Sequence, residues 1–199
     1  NLSTWSFYAD GDLLYIGSHM GLSTLDMSND KATLLFGFND VFDSMTDNTV
    51  RSITQDSQGA LWLGSTMLGA YRWDPNQRQI KKYGYRRGNE NSLSNNNIQG
   101  IHQDNTDDNL LWVSTSNGLN LIDLQTDKIE TFLYNEKSKG MYENSSIYAF
   151  YEDNQQRLWL EGGKEVLVFD MKTKKLLDND FPAEVKTLFK ASYKSIFLD

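Results

Sequence analysis

The sequence has no cysteine in its 199 residues. That excludes thiol nucleophiles, zinc–thiolate centres and disulfides, and it permits an oxidising compartment without requiring one. No apolar run approaches the roughly 18 residues that a membrane helix needs, and no signal-peptide pattern opens the sequence. Histidine is scarce as well: His19 and His102 are the only two, and neither has a partnered nucleophile in view. Positive charge is in deficit, with 19 Lys and Arg against 27 Asp and Glu and a formal net charge of −8. Such a surface repels a nucleic-acid backbone. The basic clusters, Lys81-Lys82, Arg86-Arg87 and Lys172 to Lys175, are short and read as solvated hairpin ends. No catalytic set, cofactor, metal site, nucleic-acid partner or membrane contact is expected from these residues.

What is present is a repeat. Apolar residues make up 39% and aromatics 13% of the chain, a globular composition in which Tyr, Phe and Trp favour strands. Gln55-Asp56-Ser57-Gln58-Gly59-Ala60-Leu61-Trp62-Leu63-Gly64-Ser65 is followed by Gly69 and Asp74. Gln103-Asp104 leads likewise to Leu111-Trp112-Val113-Ser114-Thr115, Gly118 and Asp123, and Glu152-Asp153 to Leu158-Trp159-Leu160, Gly163 and Asp170. A looser copy runs from Asp10-Gly11 through Leu14-Tyr15-Ile16-Gly17-Ser18 to Gly21 and Asp26. The aromatic anchors Tyr15, Trp62, Trp112 and Trp159 are separated by 47, 50 and 47 residues, the period of propeller blades. A fifth copy begins, with Val185, Leu188, Ala191 and Phe197 in the register of Val50, Ile53, Asp56 and Trp62.

Each copy reads as four antiparallel strands. The first carries apolar residues at every third position, as in Val50 and Ile53, and runs into a turn that opens on Asp and closes on Gly. The second, Leu61-Trp62-Leu63, is apolar throughout, as expected of a strand packed on both faces. Two further strands follow, joined by an Asp-initiated turn. The expected fold is therefore all-β: propeller blades at approximately 4–36, 49–83, 97–134 and 146–178, with a partial fifth at 184–199, in one domain spanning 1–199. Single blades cannot bury both of their faces, whereas stacking around an axis buries them. Because the sequence starts and stops in strand-like residues, it is expected to be a piece of a longer chain, and its blades an open arc.

The pattern Asp-x-x-Gly-x-Leu-Trp-x-Gly-Ser/Thr-x-x-Gly-x-x-x-x-Asp resembles the two-component regulator propeller repeat. The stretch Asn91-Ser92-Leu93-Ser94-Asn95-Asn96-Asn97-Ile98 resembles that family's inter-blade linker. The first copy departs from the pattern with Tyr15 for Trp, and the fourth with Glu161 at the Gly position. The resemblance implies a part of a seven-bladed propeller from the periplasmic sensor region of a hybrid histidine kinase, or of a related inner-membrane regulator ending in a cyclic-dinucleotide enzyme. It further implies a homodimer in the full-length protein and, as in some members, an oligosaccharide ligand. No kinase or cyclase motif occurs in the sequence, so this part is expected not to be an enzyme.

Several residues invite chemistry and have a plainer reading. His19 lies in a glycine turn and His102 in a first strand. Asp104-Asn105-Thr106-Asp107-Asp108-Asn109 is acidic enough for calcium but lacks the mid-loop Gly and closing Glu of an EF-hand; a lengthened hairpin explains it. Asp56, Asp104 and Asp153 occupy the same turn in separate blades, so symmetry spreads them instead of pairing them. Trp62, Trp112 and Trp159 are flanked by aliphatics and read as core. The candidate ligand contacts lie in the linkers and in the turn after each second strand: His19, Met67, Tyr85, Arg86, Arg87, Asn117, Tyr134, Tyr142, Glu161 and Lys164. Aromatics beside Arg and Asn suit sugar rings and hydroxyls. The alternative is a structural or protein-interaction propeller without a small ligand. A propeller lyase or hydrolase would need His and acidic residues gathered at one channel mouth.

Overall fold

Short runs of Val, Ile, Leu, Tyr and Trp bounded by Gly, Asp and Asn become strands because β-branched and aromatic side chains pack on a pleated surface while the bounding residues accept turn geometry. The computed structural model describes residues 3–36, 49–74, 79–133, 146–147, 150–162 and 166–177. Among them, sixteen strands form four antiparallel sheets, each a meander in chain order. The first sheet holds β1 (Thr4–Asp10), β2 (Leu13–Ser18), β3 (Gly21–Asp26) and β4 (Lys31–Phe36). The second holds β5 (Val50–Gln55), β6 (Leu61–Ser65), β7 (Ala70–Asp74) and β8 (Gln79–Tyr83). The third holds β9 (Ile98–Gln103), β10 (Leu110–Thr115), β11 (Gly118–Asp123) and β12 (Ile129–Phe132). The fourth holds β13 (Phe150–Glu152), β14 (Arg157–Glu161), β15 (Val166–Asp170) and β16 (Lys175–Leu176). The fifth copy, at 184–199, lies outside the described residues.

The first strands β1, β5 and β9 lie beside one another, and β5 and β9 also meet the second strand of the preceding sheet. The sheets therefore converge on their first strands and splay outward, as propeller blades do. The fourth joins through Phe150, whose ring meets that of His102 edge-on at 5.7 Å between centroids.

Strand alternation supplies both faces of each blade. Leu61 and Leu63 point one way and pack with Ile53 and Tyr71 against Tyr15 and Leu22 of the blade before. Trp62 points the other way and joins Ala70 and Tyr83 against Ile101, Leu111, Val113 and Ile122 of the blade after. The third junction repeats this with Trp112, Leu119 and Leu121 against Leu158, Leu160 and Phe169. Trp62 and Trp112 are fully buried, as their flanking aliphatics predicted, whereas Trp159 is half-buried. Burying one such side chain stabilises by about 1.5–3 kcal/mol, and each contribution requires the neighbouring blade.

The Gly two residues after the aromatic anchor lies within the second strand and does not turn. A Cβ on Gly17 would stand 2.7 Å from the carbonyl oxygen of Val50, and one on Gly64 2.6 Å from Cγ2 of Ile98. Both contacts are on the first strand of the next blade. At the first two junctions the next blade thus comes too close at this glycine for a side chain to fit.

Candidate functional site

The meander sorts the connections onto two faces. In each blade the turn between first and second strands and that between third and fourth share one face. The turn between second and third strands shares the other with the linkers between blades.

On the first face the motif aspartates are structural. Oδ2 of Asp56 accepts from Nε1 of Trp62 at 2.9 Å and from Nε of Arg72 at 2.6 Å, while Oδ1 accepts from the amides of Gln58 and Ala60 at 3.0 and 2.9 Å. Asp104 accepts from Trp112 Nε1 at 3.0 Å and from the amides of Thr106 and Asp107 at 2.8 and 3.0 Å. Asp153 accepts from Trp159 Nε1 at 2.8 Å and from Arg157 Nε at 2.7 Å. One carboxylate therefore closes the turn and satisfies the indole N–H that burial takes from water. Burial alone would raise the Asp153 carboxyl, but the bonds from Arg157, Trp159 and the amides of Gln155 and Arg157 outweigh it and hold it at about 2. The later motif aspartates cap their own turns: Ser28 holds Asp26 below the usual carboxylate range, and the amides of Thr126 and Thr173 do so for Asp123 and Asp170. The Asp104–Asn109 stretch is a hairpin whose carboxylate is taken up in this way. Among the described residues no group of three or more His, Asp or Glu could hold a metal.

The same face carries polar bonds between blades, from the end of one first strand to the next. The Tyr8 hydroxyl donates to Gln55 Oε1 at 2.9 Å, and the Ser57 amide to Gln103 Oε1 at 3.3 Å. Nε2 of His102 pairs with Oε2 of Glu152 at 2.8 Å. His102 is thus a blade-to-blade contact.

The second face carries the candidate ligand contacts. The Ser or Thr of the motif folds the turn after the second strand. Ser18 Oγ accepts from the Met20 amide at 3.1 Å, Ser65 Oγ from those of Met67 and Leu68 at 3.1 and 2.9 Å, and Thr115 Oγ1 from that of Asn117 at 3.0 Å. Met67 and Asn117 consequently occupy equivalent positions in successive blades, a position that Met20 holds in the first with His19 just before it; Met67 is 64% exposed. The linker across residues 84–97 is tied to the turns of both blades it joins. The Gly69 amide donates to the Asn96 carbonyl and the Ser116 amide to that of Asn97, each at 2.9 Å. The Tyr85 amide donates to Asn96 Oδ1 at 2.7 Å, and the Ser94 amide to Asn120 Oδ1 at 2.8 Å.

This fixed linker frames a groove of about 680 Å³ lined by Tyr85, Arg86, Asn89, Ser92, Ser94 and Thr131. Ser92 Oγ accepts from the Arg86 amide at 3.2 Å and donates to the Asn89 carbonyl at 2.8 Å, so the wall holds its shape without a ligand. The Arg86 and Arg87 side chains are exposed. Of the sequence candidates, Tyr85 and Arg86 come together in this groove, and Arg87 adjoins it without lining it. His19, Met67, Asn117 and Glu161 stand one per blade. Tyr134, Tyr142 and Lys164 lie outside the described residues.

Glu161 takes the place that Gly17 and Gly64 hold in the first two blades. Burial raises its carboxyl, and its Oε2 is buried with no hydrogen-bond partner. The groove residues Asn89, Ser92, Ser94 and Thr131 were not singled out in sequence, because Asn and Ser read there as linker punctuation.

Residues 44–67 match the family model of the two component regulator propeller. No curated protein matches the chain. Among solved structures it is similar to the extracellular domain of the hybrid two component system BT4673 of B. thetaiotaomicron, at 16% identity and a TM-score of 0.71 over 98% of this chain and 25% of that one. It is similar to the corresponding domain of BT3049 from the same organism at 16% identity and a TM-score of 0.70, over 88% of this chain and 23% of that one. The chain thus spans about a quarter of the length of these structures. A third likeness, to U3-55K, has 12% identity and a TM-score of 0.66 over 89% of this chain and 51% of that one. At these identities the likeness is one of fold. The chain is an all-β array of propeller blades, in which residues 44–67 match the two component regulator propeller.

Proposed function

We propose that the chain is an extracytoplasmic ligand-sensing module of a bacterial two-component signalling protein, a hybrid histidine kinase or related regulator, and that it recognises an oligosaccharide on its linker face. In this reading it is not itself an enzyme. It sits in the periplasm, works as part of a homodimer, and passes the signal by shifting the population between two arrangements of that dimer.

The observation that carries the reading is the groove between Tyr85 and Thr131. It is concave, polar and preorganised, with an aromatic ring, a cationic side chain, the carboxylate of Glu90 and several amide and hydroxyl groups on a wall fixed by its own hydrogen bonds. Sugars offer hydroxyls in many directions and apolar ring faces, and such a wall matches both. Preorganisation limits the entropy lost on binding.

The test is thermal unfolding of the chain against a panel of oligosaccharides. A ligand at about a hundred times its Kd stabilises the folded state by about 2.7 kcal/mol, which raises the Tm measurably. Tyr85→Ala and Arg86→Ala should each remove most of that rise while leaving the unliganded Tm unchanged. A flat response across the panel would count against the saccharide reading.

A further inference from the structure

The first strands of three blades share an irregularity that the repeat motif does not contain. In the first sheet Thr4 pairs with Ser18 and Ser6 with Gly17, so Trp5 is an extra residue. In the second, Val50 pairs with Ser65 and Ser52 with Gly64, which leaves Arg51 extra. In the third, Ile98 pairs with Thr115 and Gly100 with Ser114, which leaves Gln99 extra. Each is a β-bulge, and each lies five residues before the motif aspartate, at Asp10, Asp56 and Asp104. A bulge breaks the alternation that would commit a side chain to one blade face and re-aims it. Here it does so at the linker end of the strands on which the blades converge.

The three re-aimed side chains carry complementary chemistry. Trp5 is 53% exposed. The guanidinium of Arg51 stands 5.8 Å from the centre of its ring. Arg51 forms no ion pair among the described residues. Gln99 is 92% buried, its Nε2 donating to Ser116 Oγ at 2.9 Å and Asn97 Oδ1 at 3.2 Å, yet its Oε1 has no donor. Ser6, beside Trp5, likewise has a buried Oγ without a partner. Leaving a buried polar atom unpaired costs about 1–3 kcal/mol, and two of the four such atoms among the described residues lie at or beside these bulges.

We propose that Trp5 and Arg51 form a binding site on the inner edge of the blades for a carboxylate-bearing sugar ring, a uronic acid unit. The exposed indole face takes the apolar face of the pyranose, as aromatic rings do at sugar sites. The guanidinium, already turned toward that ring, takes the carboxylate by paired charge-assisted hydrogen bonds. The chain's net charge of −8 works against an anion at long range, but screening confines that repulsion to about 8–10 Å, and Arg51 sets the local sign. The site is separate from the groove at Tyr85 and Arg86 and stands even where that groove binds nothing.

Isothermal titration of the chain with methyl glucuronide and methyl glucoside tests the site, because the two differ in the carboxylate. The glucuronide should bind at least tenfold more tightly, and less tightly as salt rises. Arg51→Gln should abolish that preference, and Trp5→Ala should weaken both ligands. Tm values equal to that of the unsubstituted chain would show that the variants fold. Equal affinity for the two glycosides, no binding of the glucuronide, or a preference that survives Arg51→Gln would overturn the proposal. A preference abolished by Arg86→Ala and unaffected by Arg51→Gln would move the acidic sugar to the groove, leaving the sensor reading intact and this one refuted.

Discussion

The first and second blades have the same strand order and the same turn positions, yet they are held differently. In the second, Asp56 is buried and gathers Trp62, Arg72 and two backbone amides. In the first, Asp10 is exposed, Tyr15 stands where Trp62 does, and no bond joins the pair among the described contacts. The faces turned toward the preceding position differ as well. Ile53 of the second blade is 9% exposed and Leu61 1%, whereas Phe7 is 62% exposed and Leu14 and Ile16 are only half-buried. A blade's shape is written within the repeat, but its burial belongs to pairs of repeats, as in other arrays whose stability sums over neighbours.

The strongest attempt to break this comparison is to remove the two aspartates. Asp56→Ala strips the acceptor from a buried indole N–H and leaves Arg72 without its carboxylate, which should cost about 3–5 kcal/mol. Asp10→Ala touches an exposed side chain and should stay within about 0.5 kcal/mol. Urea unfolding of both variants reads the difference. Similar losses would mean that the first blade is stabilised by the same device as the second.

Much of this was legible before any coordinates. The blades were, because Asp, Gly and Trp recur at fixed places and the period matches a four-stranded unit. The bond between aspartate and tryptophan was not, since its span varies: six residues from Asp56 to Trp62 and from Asp153 to Trp159, but eight from Asp104 to Trp112, where the hairpin is longer. Of the groove, Tyr85 and Arg86 announced themselves as an aromatic and a cation in a linker. The serines and asparagines that shape it looked like turn formers. The bulged residues were hidden for a different reason. Trp5, Arg51 and Gln99 share a register and no chemistry, and register becomes visible only when strands are paired.

The fourth blade offers a second, smaller contrast with the first. Its Asp153 carboxyl is held at about 2 against an ordinary 3.8. Its folded-state value is therefore depressed, so the stabilisation is fully present above about pH 4 and is lost as pH falls toward 2. The size of the effect is about 2 kcal/mol. Stability measured by urea between pH 5 and 2 should fall less steeply in Asp153→Asn than in the unsubstituted chain. An unchanged slope would mean that the turn bonds to Asp153 do not persist in solution.

The smallest expected effect on stability is the most informative about the first blade. Phe7 occupies the position of Ile53, Ile101 and Phe150, each of which packs at a junction between blades. In the first blade that position is 62% exposed, and Leu34, on the same face of the sheet at its other edge strand, is 55% exposed. An exposed apolar face of this kind drives association more than it supports folding. Phe7→Ser should therefore change unfolding free energy by no more than about 0.5 kcal/mol, and in sedimentation velocity it should associate less with rising concentration than the unsubstituted chain. If Phe7→Ser instead destabilises the chain as strongly as Ile53→Ser, then the face is covered in the folded molecule, and the first blade is buried on both sides like the ones that follow it.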